Sequence, residues 1–205
     1  YSPILITVGV SSLIIVLGSY ITHGFNKTTS SAVIGMIATV VVTGILGYIA
    51  VHWAGLSGFE SEEAVFLNWN TGGSIDFVGL LFGGIMIGLL GVLYDVAIGQ
   101  AISVEELRAA GPHLSKSHIL KRALRIGKEH TGALVNTLAI AYVGASLPLL
   151  LYFYGNTTIS LAEMVNREIF STEIMRILIG SIGLVIAVPI TTLISVFMLV
   201  KEGEP

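Results

Sequence analysis

Residues 79–102 read GLLFGGIMIGLLGVLYDVAIGQAI, an apolar run long enough to cross a bilayer that nevertheless carries one carboxylate, Asp95. At 100° per residue Gly84, Gly88, Gly91, Asp95 and Gly99 fall on one narrow stripe of a helix, because they follow at spacings of four, three, four and four. One face is therefore bare backbone with an acid set into it. Small residues let a neighbouring transmembrane helix approach closely, and an acid exposed to lipid costs about 2.5–3.5 kcal/mol on insertion scales. The expectation is that Asp95 points into a helical bundle.

Composition points the same way. Hydrophobic residues make up 54% of the 205 and charged residues only 11%, too little polar surface to coat a soluble domain of that size. The mean hydropathy is +0.88. The apolar runs are continuous rather than alternating, which favours helices over a barrel. The fold class expected is an all-α integral membrane protein with about five transmembrane helices plus short interfacial helices. With no cysteine, disulfides, iron–sulfur clusters and thiolate metal sites are excluded.

Five spans are expected, at about Ile4–Thr22, Ser31–His52, Ile75–Ile102, Thr131–Tyr154 and Ile174–Val200. Lys27, Arg108, Lys116, Lys121, Arg122, Arg125, Lys128 and Lys201 fall in alternate connections, eight of the ten basic residues, and mark those connections as cytoplasmic. The opposite connections hold Glu60, Glu62, Glu63, Asp76, Glu163, Glu168 and Glu173 with only Arg167 and Arg176. The first residue is then outside and the C-terminus inside. The chain starts at Tyr1 with neither a methionine nor a signal-peptide pattern and reads as the C-terminal part of a longer protein, residues 1–205 forming a single membrane domain.

Between the third and fourth spans, Ser103 and Glu106 have capping-box spacing, which predicts a helix end near Ile102 and a new cytoplasmic helix stopping at Gly111-Pro112. A second helix, expected from Ser115–Ser117, puts Ile119, Ala123 and Ile126 on one face beside Lys121, Arg122, Arg125 and Lys128, the pattern of a helix lying on an anionic leaflet. On the outer side Leu161–Phe170 is a weaker amphipathic segment, and Glu173 and Arg176, three apart, are expected to form a local ion pair.

Depth suggests partners for the acid. Asn136 and Asp95 lie comparable distances inside the cytoplasmic boundary, roughly 5–12 Å at 1.5 Å per residue, so a hydrogen bond between them is geometrically allowed. In the fifth span Gly180, Gly183, Ala187 and Thr191 share a face, Pro189 removes a helical hydrogen bond, and Thr191, Thr192 and Ser195 reach the same half. Asp95, Asn136, Thr191, Thr192 and Ser195 are thus the candidate ion or proton site, with Gly84, Gly88, Gly91, Gly99, Gly180, Gly183 and Pro189 as packing and hinge positions. Two readings stay open for Asp95: a structural acid satisfied by Asn136, or a site where a proton or cation neutralises the charge.

Catalysis finds little footing. Gly144-Ala145-Ser146 resembles the start of the rhomboid nucleophile motif, but Leu147 follows where a glycine belongs and no later span carries a histidine base. His23, His52, His113, His118 and His130 form no HExxH or i, i+4 pair, and no phosphate-binding Gly-Lys-Ser/Thr loop occurs. No enzyme activity, metal or cofactor is expected.

Several segments together carry a family resemblance: His23-Gly24-Phe25-Asn26-Lys27, the stretch from Gly88 through Gly91 and Tyr94-Asp95 to Ala97, Ile126-Gly127-Lys128-Glu129, Asn136-Thr137-Leu138 with Ala141-Tyr142, and Gly180-Ser181-Ile182-Gly183 leading to Pro189. In this order the chain resembles the YibE/F-like bacterial multi-pass membrane proteins. The family pattern favours Asp where Glu129 stands and Thr where Ala133 stands, so no role is carried over to those two positions. The resemblance implies a bacterial plasma (inner) membrane location, further helices before Tyr1, a permease activity, and related proteins that work as pairs.

The function expected is therefore a secondary transporter or permease with Asp95 as its coupling site. The alternative is a non-catalytic membrane subunit or scaffold that docks partner helices through its glycine faces. Expected partners are the lipid bilayer and either further copies of the chain or a paired paralogous subunit, with no nucleic acid. If the basic end is cytoplasmic, cysteines introduced at Ser61 and Thr158 will react with an impermeant thiol reagent in intact cells and one at Ser117 will not. Labelling at Ser117 alone would invert the orientation.

Overall fold

A computed structural model describes residues 3–155 and 159–200. Tyr1, Thr158 and Lys201 lie outside the described residues, within which the chain forms eight helices and no strand. They are α1 (Pro3–His23), α2 (Lys27–Trp53), α3 (Glu62–Asn70), α4 (Phe77–Ala110), α5 (Lys116–Ala145), α6 (Leu147–Tyr154), α7 (Leu161–Val165) and α8 (Glu168–Leu199). Four of them, α1, α2, α4 and α8, are long and apolar enough to cross a membrane. The α5–α6 pair passes the same test only when taken together and is bent by 60° at its break, so the described residues hold four candidate spans, or five if that pair is one broken span. The multi-span helical class read from composition is what the chain adopts.

Helix α8 packs against α2, α4 and α5, while α4 also meets α2 and α1, so α4 and α8 form the middle of the bundle. Close approach of backbones makes this packing tight. A Cβ added at Gly35 of α2 would lie 2.9 Å from the Thr191 Cα, and one at Gly183 of α8 would lie 2.9 Å from Leu89 Cδ2 and 3.0 Å from Thr43 Cγ2. At Gly35 a side chain would push backbone apart, whereas at Gly183 it would first have to displace the Leu89 and Thr43 side chains. The face predicted from Gly180, Gly183, Ala187 and Thr191 is buried throughout.

Two boundaries differ from expectation, for one reason. Helix α4 does not stop at Ile102: the Ser103 hydroxyl turns back to donate to the Gly99 carbonyl at 2.7 Å, and the helix runs on to Ala110. Likewise α5 begins at Lys116, capped by Ser115, and continues unbroken past Thr131 to Ala145. Val104, Ile119, Ala123, Val196 and Leu199 close into one buried cluster, so tertiary burial overrides the local capping signal. Ile119 and Ala123 therefore face the bundle, not a leaflet surface, while Ile126 is exposed. The Arg108 guanidinium donates to the Leu199 carbonyl and joins the ends of α4 and α8.

The segment expected as the fourth span is also not straight. Pro148 sits at the start of α6 without an N–H to give the preceding turn, and the chain bends after Ala145. Ser146, at the break, donates to Glu173 of α8 at 3.2 Å, and Glu173 in turn pairs with Arg176 as expected.

These contacts predict a sharp contrast between two glycines. Gly35→Ala will lower stability by about 1–3 kcal/mol through overpacking. Gly91→Ala, where nothing lies within 4 Å of the added carbon, will leave the isolated chain no less stable. Denaturation midpoints of both variants in mixed micelles measure the difference, and equal losses would mean that α2 and α8 are not in backbone contact.

Candidate functional site

The residues grouped by depth in the sequence occupy three separate places. Thr191, Thr192 and Ser195 are fully buried. The Thr192 hydroxyl approaches the Gln100 Oε1 at 2.8 Å and the Val188 carbonyl at 2.6 Å, sharing its single proton between them. Ser31 donates to the Thr28 carbonyl at 2.8 Å, which leaves the Ser195 hydroxyl as the donor across the 3.0 Å contact to Ser31. This layer ties α2, α4 and α8 together inside the bundle. Thr192 and Ser195 thus meet partners, where an unmet buried polar atom costs about 1–3 kcal/mol, whereas the Thr191 hydroxyl, equally buried, has none among the described residues.

Asp95 stands elsewhere. Gln100 and Asp95 are five residues apart on α4, which turns them about 140° from one another. With Gln100 buried toward α8, Asp95 is left on the exposed side of α4 together with Gly84, Gly88 and Gly91. The expectation that Asp95 points into the bundle is corrected accordingly. Among the described residues it makes no hydrogen bond or ion pair. The physical cause is competition between faces of one helix. Leu81, Phe82, Ile85, Leu89, Leu93 and Val96 offer far more surface for packing than a glycine row does, and they take the interior.

At Gly84, Gly91 and Gly99 an added Cβ would meet nothing within 4 Å, and at Gly88 only the Tyr142 hydroxyl at 3.6 Å. The smooth face is real but open. Its depth can be read from the turn between α1 and α2. His23, Asn26, Thr28 and Thr29 line a small cleft of about 200 Å³ with Ile98, Ala101, Ile102 and Glu105, so that turn stands level with the segment one turn beyond Asp95. At 1.5 Å per residue Asp95 lies only about 5–10 Å inside this level.

Asn136 is on neither surface. It lines a groove of about 650 Å³ between α5 and α8, with Lys128 and Gly132 on one wall and Val185, Val188 and Pro189 on the other. The hydrogen bond to Asp95 that their depths allowed is not formed. Both residues are exposed, and Asn136 sits on the side of α5 turned toward this groove. Pro189 lies within an α8 that continues to Leu199, and its missing N–H leaves the Val185 carbonyl without a helical donor beside the groove.

The His23-Gly24-Phe25-Asn26-Lys27 segment has a plain local role. Gly24 takes φ 74°, a left-handed turn that a glycine adopts without strain. Asn26 then caps α2, accepting from the Thr29 N–H at 2.7 Å and donating to the His23 carbonyl at 2.9 Å. Tyr20 stacks on Phe25 with ring centroids 4.5 Å apart. With these pieces placed, the comparison with known proteins is direct: the YibE/F-like protein family matches residues 1–201. The chain belongs to that family. No curated protein and no solved structure matches it. The segments in which the family likeness was read thus include a helix cap, the open α4 face and the α8 packing face. No group of three His, Asp or Glu side chains among the described residues is placed to hold a metal ion.

Sequence reasoning passed over three residues that the fold uses. Gln100 and Ser31 complete the buried layer, and the one signal was an amide inside an apolar run. Glu168 accepts from the Ser57 N–H at 2.6 Å, the Ser57 hydroxyl at 2.7 Å and the Gly58 N–H at 2.7 Å, fastening the α2–α3 turn to the start of α8. Gly58 is at φ 80°, with the Phe77 carbonyl 2.3 Å from where its Cβ would be. Nothing local announces a partner 110 residues away.

The buried layer generates a test. Thr192→Val will cost about 1–3 kcal/mol by leaving the Gln100 amide without its donor, and Gln100→Leu a comparable amount. The double variant will cost less than the sum. Strict additivity in that cycle, read from unfolding in mixed micelles, would mean the two side chains are not coupled.

Proposed function

We propose that this protein is the membrane subunit of a secondary transport system whose coupling proton or cation is held at Asp95, between α4 and a transmembrane helix of another subunit. One observation carries the reading: a carboxylate without a partner among the described residues stands on a row of bare glycine backbone, about two turns inside the level of the α1–α2 turn. Left to lipid the acid would cost about 2.5–3.5 kcal/mol, and the neighbouring glycines offer the surface on which a second helix packs closely. The covering helix carries small residues opposite Gly84, Gly88 and Gly91 and a basic or amide side chain level with Asp95. A proton or cation taken up in the seam changes the charge between two rigid bodies, which is what an ion-coupled rearrangement requires. Asn136, Thr191, Thr192 and Ser195 are not part of this seam.

The same open face also supports the second reading, a non-catalytic subunit that uses the glycines for docking alone. The two separate in reconstituted vesicles of the full-length protein with its native partners, loaded with trapped pH- and sodium-sensitive dyes. Under the transport reading Asp95→Asn abolishes gradient-driven proton or sodium flux while the assembly stays intact on size exclusion, and Gly91→Leu dissociates the assembly. Wild-type flux from Asp95→Asn vesicles would overturn the coupling role and leave the docking reading.

A further inference from the structure

We infer that the groove between α5 and α8 is a binding site for one anionic phospholipid, with an acyl chain against Val185, Val188 and Pro189 and its phosphate on Lys121, Arg125 and Lys128. This does not depend on the transport reading. The groove runs along α5 beside its buried edge, which it meets at Thr131, and residues of both its walls are exposed at the bundle surface. Its volume is about 650 Å³, and the α8 wall, Val185, Val188 and Pro189, is wholly apolar. In a bilayer such a space is filled by hydrocarbon.

The charge that continues it decides which hydrocarbon. Lys121, Arg125, Lys128, Gly132 and Asn136 follow at spacings of four, three, four and four, so the three cations are the continuation of the groove floor along α5 toward the basic end. All three are exposed, and among the described residues none of them is in an ion pair. Glu129 flanks the row, leaving three cations against one acid. An apolar trough that runs into a ladder of Lys and Arg matches the order of parts in an anionic lipid, tail then phosphate, and guanidinium and ammonium groups are the natural donors to a phosphate. At Gly132 an added Cβ would meet nothing within 4 Å, so a chain can lie directly on the α5 backbone there. Asn136, which the acid does not engage, borders the trough and can meet the ester region or a water held by it.

Native mass spectrometry of the full-length protein, re-extracted from nanodiscs of equimolar phosphatidylglycerol and phosphatidylcholine, tests this. The wild type retains one phosphatidylglycerol in roughly tenfold or greater preference over phosphatidylcholine. Lys121→Gln, Arg125→Gln and Lys128→Gln combined lose the preference while still holding phosphatidylcholine. Gly132→Leu, which fills the trough and keeps every charge, loses both lipids. Lys27→Gln, one charge removed elsewhere, leaves the ratio unchanged, and inorganic phosphate does not displace the lipid. The proposal fails if the wild type shows no preference, if inorganic phosphate competes, or if Gly132→Leu retains phosphatidylglycerol like the wild type, the last result assigning the groove to a protein partner or to none. Melting curves of each variant show that the bundle remains folded.

Discussion

Contact between backbones is what the bundle depends on. Inside a bilayer helices gain nothing from leaving water behind, so association rests on dispersion between surfaces that fit and on hydrogen bonds that cannot be made to lipid. Here the fit is set where α2 and α8 touch at Gly35 and Thr191, and where Gly183 accepts Leu89 and Thr43 from two other helices. Once α8 is held at that distance, the Thr192–Gln100 and Ser195–Ser31 contacts come within reach and α4 is fixed in rotation. That rotation decides which side of α4 the chain leaves to its surroundings.

Two rows of glycine in one chain thus have opposite fates. The row on α8 is consumed by the chain's own packing, whereas the row on α4 is left for something else to meet. Periodicity treats them alike, because both follow helical spacing and both are small. The difference arises from what shares the helix. On α8 the glycines have Ala187 and Thr191 beside them, and the whole strip is buried. On α4 bulky apolar side chains flank the strip and win the interior.

Much of the architecture was legible in the sequence: the helical membrane class, the spans through α2 and α8, a helix start at Ser115–Ser117, the Glu173–Arg176 pair and the α8 packing face. Those features are written in runs of about twenty residues or in spacings of three and four. What stayed hidden was long-range. The continuation of α4 past Ser103 rests on Val104 meeting α5 and α8, and the separation of Asp95 from Asn136 rests on the rotation of two helices. Equal depth in the membrane was a valid constraint along one axis and silent about the other two. Gln100 was overlooked because an amide carries no formal charge, although inside an apolar run it has as strong a need for partners as the acid five residues earlier.

The Glu168 carboxylate joins three donors of the α2–α3 turn to the first residue of α8, and Gly58 is locked between them and Phe77. Mechanically this is a clevis: the turn is pinned to the end of a 32-residue rod whose other end is joined to α4 through Arg108. A tilt of α8 by a few degrees therefore displaces the acidic-end turn and α3 sideways, converting motion within the bundle into movement of a surface outside it.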